Sequence, residues 1–404
     1  MLQPEYLRNI TEKAGAAASR LELQVIKAIV ERIVERLKRD EGEDLLTSVD
    51  YIMTQVLMDA GIVLEDVSTL VAQALPQIKA EIQQAFKESM EKSWQYDSSV
   101  FGSAGIPKDA LGMTPYYTAM IQRDYASIMV DMDNLTGTIA DRAQVQFIQA
   151  ASAALLKTQS GAFSYAQAMR DAVKSLSTSG ISLVTYPSGH VDTIETATLR
   201  AIRTGISQTA AQITQERMSE YDYDLVLVSQ HVGARPSHAQ WQGKMYSMFG
   251  KTPGYPLLSE ATGYGTVTGL CGANCRHSFG PAIEGYNPYE SIDRKKSDAV
   301  YETIQTQRQY EREVRSDKKE VLILRDAMDQ YEEGTEGYER LQKDYQRASA
   351  KLQRHNERLN AWIEENELKQ RPASVYVGGW NRSQASKASA AARKYNARTG
   401  GEKK

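Results

Sequence analysis

From Leu21 to Leu37 the apolar residues return every three or four positions, and Glu, Arg and Lys fill the places between them. That spacing puts one apolar stripe on one side of a helix and charge on the other. Two further segments of the same kind run from about Leu45 to Met58 and from Leu64 to Met90, with Gly61 expected as the break and Asp66 as an early cap. Stripes this regular must bury themselves against a neighbour or a partner protein. Residues 1–95 therefore read as a helical N-terminal region. From Tyr96 the pattern is interrupted by Gly102, Gly105, Pro107, Gly112 and Pro115. Helix is expected again from about Pro115 to Ala153 and from Ser164 to Leu176, making 96–179 a helical connecting region.

The periodicity changes after Gly180. Ile181–Tyr186 predicts a strand, Pro187-Ser188-Gly189 a turn, and His190-Val191-Asp192 a short return. A helix is expected from Thr193 to Glu220, followed by a buried strand over Tyr223–Ser229 that leads straight to His231. Residues 180–290 thus form a compact α+β unit. Further on, Leu341, Tyr345, Ala348, Leu352, His355, Leu359 and Trp362 step by four and three, a heptad seam. With an upstream helix from about Asp293 to Tyr331 and a turn between Gly334 and Gly337, residues 291–370 predict an antiparallel helical hairpin or a coiled coil. His355 is the polar member of the seam, and burying its ring nitrogens unpaired would cost stability, which favours a partly exposed pairing. The fold class expected from these patterns is α+β, mainly α.

Composition narrows the function. The 404 residues carry a net charge of −3, so the surface as a whole does not attract nucleic acid. The first residues lack the pattern of a signal peptide, and no run approaches the ~20 apolar residues that cross a bilayer. After Arg371 the balance reverses. Residues 371–404 hold eight Arg and Lys against the single acid Glu402 and are rich in Ser, Ala and Gly. This segment is expected to be a flexible basic tail, disordered when free. Such an arm suits phosphates, and Arg382, Lys387, Arg393, Lys394 and Arg398 are the candidate DNA contacts. Tyr376, Trp380 and Tyr395 add possible stacking on single strands.

The chemistry-bearing residues gather in one window. There are five histidines and two cysteines, and six of the seven lie between His190 and His277. Cys271 and Cys275, with His277 two beyond, supply thiolate and imidazole ligands for a tetrahedral zinc, which His231 or His238 could complete. The spacing departs from Cys-x-x-Cys. Other readings stay open: small buried thiols, a disulfide, or hydrogen-bonded scaffold residues holding loops against Arg203, Arg235 and Trp241. An open zinc site with Glu260 as base would instead make a hydrolase or nuclease. The window has no His-Glu-x-x-His, no paired acids and no phosphate-cradling glycines, so no catalytic residue is assigned.

Four blocks occur in order: Tyr186-Pro-Ser-Gly-His-Val-Asp192, Ala201-Ile-Arg203-Thr204, His231 through Arg235-Pro-Ser-His238 to Trp241-Gln-Gly-Lys and Tyr246, and Gly269-Leu-Cys271-Gly-Ala-Asn-Cys275-Arg-His277-Ser278. With them the chain closely resembles the bacteriophage minor capsid protein 2 family, itself related to Mu F-like head-morphogenesis proteins. The resemblance covers most of the chain up to about Gly285. It implies a low-copy, non-enzymatic head protein, in the host cytoplasm during assembly and then inside the virion near the portal. Its implied partners are the portal protein, the major capsid or scaffold protein, and the packaged genome. The alternative is a zinc-dependent hydrolase or nuclease delivered with the genome. A toxin-like effector, as some related domains carry C-terminally, is disfavoured by the heptad-patterned C-terminal third.

Overall fold

The computed structural model describes residues 1–40, 49–159, 167, 171–176, 183–186 and 189–400. The expected helix start at Leu45, positions 164–166 and 168–170 of the helix expected from Ser164, the first two residues of the strand expected from Ile181 and the Pro187-Ser188 part of its turn fall outside these residues. Helices predominate: α1 (Pro4–Asn9), α2 (Glu12–Asp40), α3 (Val49–Ser103), α4 (Pro115–Gly137), α5 (Ile139–Gln159) and α6 (Ile194–Glu220). The short α7 (Pro236–Ala239) and α8 (Leu258–Thr262) precede α9 (Arg294–Asp329), α10 (Glu336–Glu365) and α11 (Arg382–Gly400). Among the described residues there are also five short strands: β1 (Val184–Thr185), β2 (Val191–Asp192), β3 (Leu225–Val228), β4 (Met245–Ser247) and β5 (Phe279–Pro281). The fold is mainly-α α+β, as the pattern indicated.

The chain divides into two compact units, and each is discontinuous. Met1–Gly15, Gln77–Asn134 and Thr196–Thr306 form the first, and Ala16–Pro76, Leu135–Glu195 and Gln307–Lys404 the second. This differs from five consecutive regions read along the chain. The reason lies in α3, where the sequence suggested two helices and a glycine-rich break. A 55-residue helix instead runs through Gly61, Pro76 and Gly102. Gly and Pro inside a helix cost about 1 and 3 kcal/mol relative to Ala. Val56, Ala60, Val63 and Val67 before Pro76, and Ile78, Ile82 and Phe86 after it, are fully or almost fully buried. Their burial, at roughly 1.5–3 kcal/mol for each large side chain, outweighs those costs. The helix stops only where Gly105 takes a left-handed φ of 93°.

In the first unit, a three-stranded antiparallel sheet of order β4-β3-β5 lies beside α6. All four β3 residues are buried, and the period of two sends them to opposite sides. Val226 and Val228 join a core with Phe101, Met218, Trp241, Leu270 and Phe279, while Leu225 and Leu227 pack with Ala282, Met245 and Tyr289. Arg217 of α6 is completely buried, its guanidinium 3.8 Å from the Trp94 ring centroid and donating to Ser98 Oγ at 2.8 Å. The Arg charge is thus solvated by a ring face and a hydroxyl instead of water.

In the second unit the expected β1–β2 hairpin pairs Val184 with Asp192 and Thr185 with Val191. Helices α9 and α10 run antiparallel: Tyr310 meets Trp362, Glu313 meets Arg358, Asp317 meets His355 and Glu320 meets Lys351. Leu341, Tyr345, Ala348, Leu352 and Leu359 are buried along the seam, and His355 is partly exposed with Nδ1 2.6 Å from Asp317 Oδ2. Thr335 caps α10, accepting from the Tyr338 amide at 3.3 Å.

Residues 382–400 are not a disordered tail. They form α11, which packs on α10 with Ala388, Ala391 and Ala392 buried. Polar, low-hydropathy composition pointed to disorder, but alanine is the strongest helix former and its small side chain admits close helix contact. Arg382, Lys387, Arg393, Lys394 and Arg398 are all exposed. At 100° per residue they occupy about 160° of the helix circumference, opposite the buried alanines.

Candidate metal centre

Strand β3 ends at Val228, and the chain then turns through His231 to α7, which begins with Pro236 at a position where no amide partner is needed. This places His238 on the short helix, 3% exposed. The opposite wall is the loop Gly269–His277. Gly269 and Gly272 admit close backbone passage, since a Cβ at either would overlap the carbonyl of Gly263 or Val267. Two non-glycine residues, Cys271 (φ 60°) and Asn274 (φ 59°), take left-handed conformations. Each costs of order 1–3 kcal/mol, and such strain persists only where the surroundings impose it. The surroundings here include the amide of Ala273 donating to Val267 O at 2.7 Å and that of Leu270 to Thr262 O at 3.1 Å.

Of the five candidate ligands, His238, Cys275 and His277 come together, their ligand atoms all within 4.8 Å and all three residues buried. The two Nδ1 atoms are 3.4 Å apart, and Cys275 Sγ is 3.7 Å from one and 3.8 Å from the other. His238 Nε2 lies 3.2 Å from Thr268 O, and His277 Nε2 lies 3.1 Å from Gln242 Oε1. The other two candidates stand differently. His231 stacks on His277 with centroids 4.6 Å apart and ring planes 21° apart, its Nδ1 3.1 Å from Val232 O. An imidazole lone pair lies in the ring plane, so a stacked ring does not aim at an ion held by its neighbour. Cys271 is buried, its Sγ 3.7 Å from the His277 carbonyl, as is that of Cys275.

Burial dominates the proton affinities. It pushes His277 down to about 2, with His231, His238, Arg276 and Arg235 adding to the effect. It takes His238 to about 4, partly opposed by the Thr268 carbonyl. Burial raises both thiols, Cys271 most. Imidazoles held neutral present lone pairs, which is the ligating form.

The other motif residues make packing and hydrogen-bond contacts. Trp241 packs on both rings, 4.4 Å from His238 and 4.9 Å from His277, and its carbonyl accepts from the buried Tyr246 hydroxyl at 2.8 Å. Arg235 donates to Thr268 O at 3.1 Å, fixing the carbonyl that His238 uses. Arg203 is not part of this cluster: it faces the N-terminal segment, at 3.4 Å from Leu7 O and Thr11 Oγ1. Glu260, the candidate base, is exposed on α8 and outside the group. The sequence reading missed Gln242 as the residue orienting His277, and it missed Asp224. The Asp224 carboxylate, 8% exposed, accepts from Ser247 Oγ, Phe249 N, Lys251 N, Thr252 N and Thr252 Oγ1 at 2.5–3.1 Å. An acid immediately before an all-apolar strand was the available signal.

Residues 2–364 match the family described as phage minor capsid protein 2. A structural protein of Lactococcus phage LL-H is 31% identical over 134 residues, which are 31% of this chain and 36% of that protein. A structural protein of Lactococcus phage mv4 is 39% identical over 72 residues, 17% of this chain and 58% of that protein. The chain therefore spans about a third of one relative and somewhat over half of the other. No solved structure matches it. The family match takes in the helical N-terminal segments, the Cys/His loop and the hairpin together, and the chain belongs to the phage minor capsid protein 2 family.

Proposed function

We propose that this protein is a low-copy structural component of a tailed-phage head, seated near the portal and touching the packaged genome through α11. Family membership supports the virion role. The observation that carries the DNA contact is the exposed face of α11, with five basic side chains, no acid between Arg382 and Gly400, and an alanine face packed on α10. A helix surface of this kind presents its charges at fixed spacing to a phosphate backbone, and counterion release supplies the affinity without reading base sequence. The test is duplex binding by the full chain as salt is varied. Replacing Lys387, Arg393 and Lys394 together with Gln should lower the slope of log K against log salt by up to ~2.7, at ~0.9 for each phosphate no longer neutralised. An unchanged slope would overturn the assignment.

The portal-facing surface is assigned to the first turns of α3, where Tyr51, Leu57, Met58 and Ile62 are 46, 57, 62 and 38% exposed. Apolar side chains grouped in this way mark contact surfaces. Met58→Glu with Ile62→Glu should abolish co-purification with the portal protein while leaving the melting temperature in place. Retained association would sink this placement.

A further inference from the structure

His238, Cys275 and His277 bring three ligand atoms together in an arrangement that their own hydrogen bonds leave unsatisfied. The Thr268 carbonyl can only accept, so His238 Nε2 at 3.2 Å carries the proton. Gln242 Oε1 accepts from the backbone amide of His231 at 3.0 Å, which fixes the orientation of its amide. His277 Nε2, 3.1 Å from the same oxygen, therefore also donates. In each neutral ring the remaining nitrogen, Nδ1, is then a bare acceptor, and the two acceptors face each other at 3.4 Å. The Cys275 thiol has one proton to offer between them, from 3.7 and 3.8 Å.

A cation resolves that conflict, and the spacing identifies its size. Zinc bonds of about 2.0–2.1 Å to nitrogen and about 2.3 Å to sulfur give a tetrahedron with edges of about 3.4 Å between nitrogens and about 3.6 Å between nitrogen and sulfur. The observed edges of 3.4, 3.7 and 3.8 Å outline one face of such a tetrahedron. The outer contacts from Nε2 to a carbonyl and an amide oxygen are those that orient metal-bound histidines. We propose that His238 Nδ1, His277 Nδ1 and Cys275 Sγ hold a structural zinc ion, with the thiolate of Cys271 as fourth ligand. Cys271 is the other buried thiol of the same loop, with its Sγ on the same His277 carbonyl as that of Cys275 but outside the 4.8 Å group, so it reaches the ion by turning about its Cα–Cβ bond. Each thiol gives its proton to solvent as it binds the metal. Burial of all four side chains, at 2–3% exposure, fits a closed site that fastens the strained loop to α7.

The full chain, produced with zinc in the medium and desalted, should contain one zinc per molecule by elemental analysis. Exchange for cobalt should give the intense visible bands of tetrahedral coordination and a sulfur-to-cobalt charge-transfer band. His277→Ala should lose the metal. If that variant fails to fold, the cobalt spectrum of the unaltered protein still decides the matter. Cys271→Ser should keep the visible bands and lose about half of the charge-transfer intensity, one thiolate of two. Folded protein with no stoichiometric metal and no cobalt bands would overturn the site. Full charge-transfer intensity in Cys271→Ser would overturn the fourth ligand.

Discussion

The α9–α10 hairpin buries one seam and the Cys/His loop buries most of its residues, and opposite means hold them. In the hairpin, an apolar seam repeats every three or four residues, and Lys351 pairs with Asp317 at 2.8 Å and Glu320 at 3.1 Å beside it. Many similar contacts share the stabilisation, so no single one decides the shape. In the region around the loop, conformation is dictated by a few polar groups with several partners each: Asp224 under the Ser247–Thr252 turn, Gln242 between His231 and His277, and Thr268 between Arg235 and His238. The hairpin is redundant and the loop is not. Substitutions in the hairpin should therefore add, while those in the loop should cost far more than any one hydrogen bond.

The largest effect should come from Asp224. Removing a buried carboxylate that satisfies five donors leaves all of them unpaired, and Asp224→Ala should cost about 4 kcal/mol in denaturant unfolding. A loss below about 1 kcal/mol would mean that the turn holds itself, and the contrast with the hairpin would fail. pH sharpens this test. Burial alone would raise the Asp224 pKa, but the hydrogen bonds from Ser247, Thr252 and Phe249 outweigh it and the net shift is downward. A carboxylate with a depressed folded pKa contributes stability above its unfolded value near 3.9, and that contribution is lost as pH falls through the folded value. Native protein and Asp224→Asn should therefore converge in stability below about pH 4. A gap that stays constant would exclude the charged form as its source.

Next in size is the seam. Leu352→Ala, at a residue 3% exposed, should cost about 3 kcal/mol. Combined with Leu341→Ala, three helical turns away, it should add within about 0.5 kcal/mol. Strong non-additivity would show the hairpin to be as coupled as the loop. The smallest effect should be at His355, whose ring is 23% exposed beside an Asp317 that Lys351 already pairs. His355→Ala should cost about 1 kcal/mol or less, measured by thermal unfolding.

The same contrast explains what the sequence made legible. A continuous apolar, β-branched run marked β3, and heptad spacing marked the α9–α10 hairpin because repeating burial leaves a repeating pattern. Residue identity alone marked His238, Cys275 and His277, since buried imidazoles and thiols are rare enough to stand out. Spacing could not separate those three from His231 and Cys271, because ring stacking and the left-handed turn at Cys271 are tertiary outcomes. The break at Gly61 and the disordered tail were misread for one reason: local propensity was overruled by burial, of Val56 through Val67 in one case and of Ala388 through Ala392 in the other. Arg203 carried no periodic signal to distinguish a partner at Thr11 from one in the Cys/His loop.

The interleaving of the two units has a consequence for the order in which the chain can acquire its structure on the ribosome. Met1–Gly15 belongs with Thr196–Thr306, and Ala16–Pro76 with Gln307–Lys404. Neither unit has all its parts until residue 306 or beyond has been translated. At about 5–20 residues per second, the first helices must wait roughly 15–60 seconds for their partners, with the stripes of α2 and α3 uncovered. Trimming the first 95 residues would remove a share of both units, so the N-terminal helices are better probed by single substitutions than by deletion. Through that wait the uncovered stripes are the part of the nascent chain most prone to mispairing and aggregation.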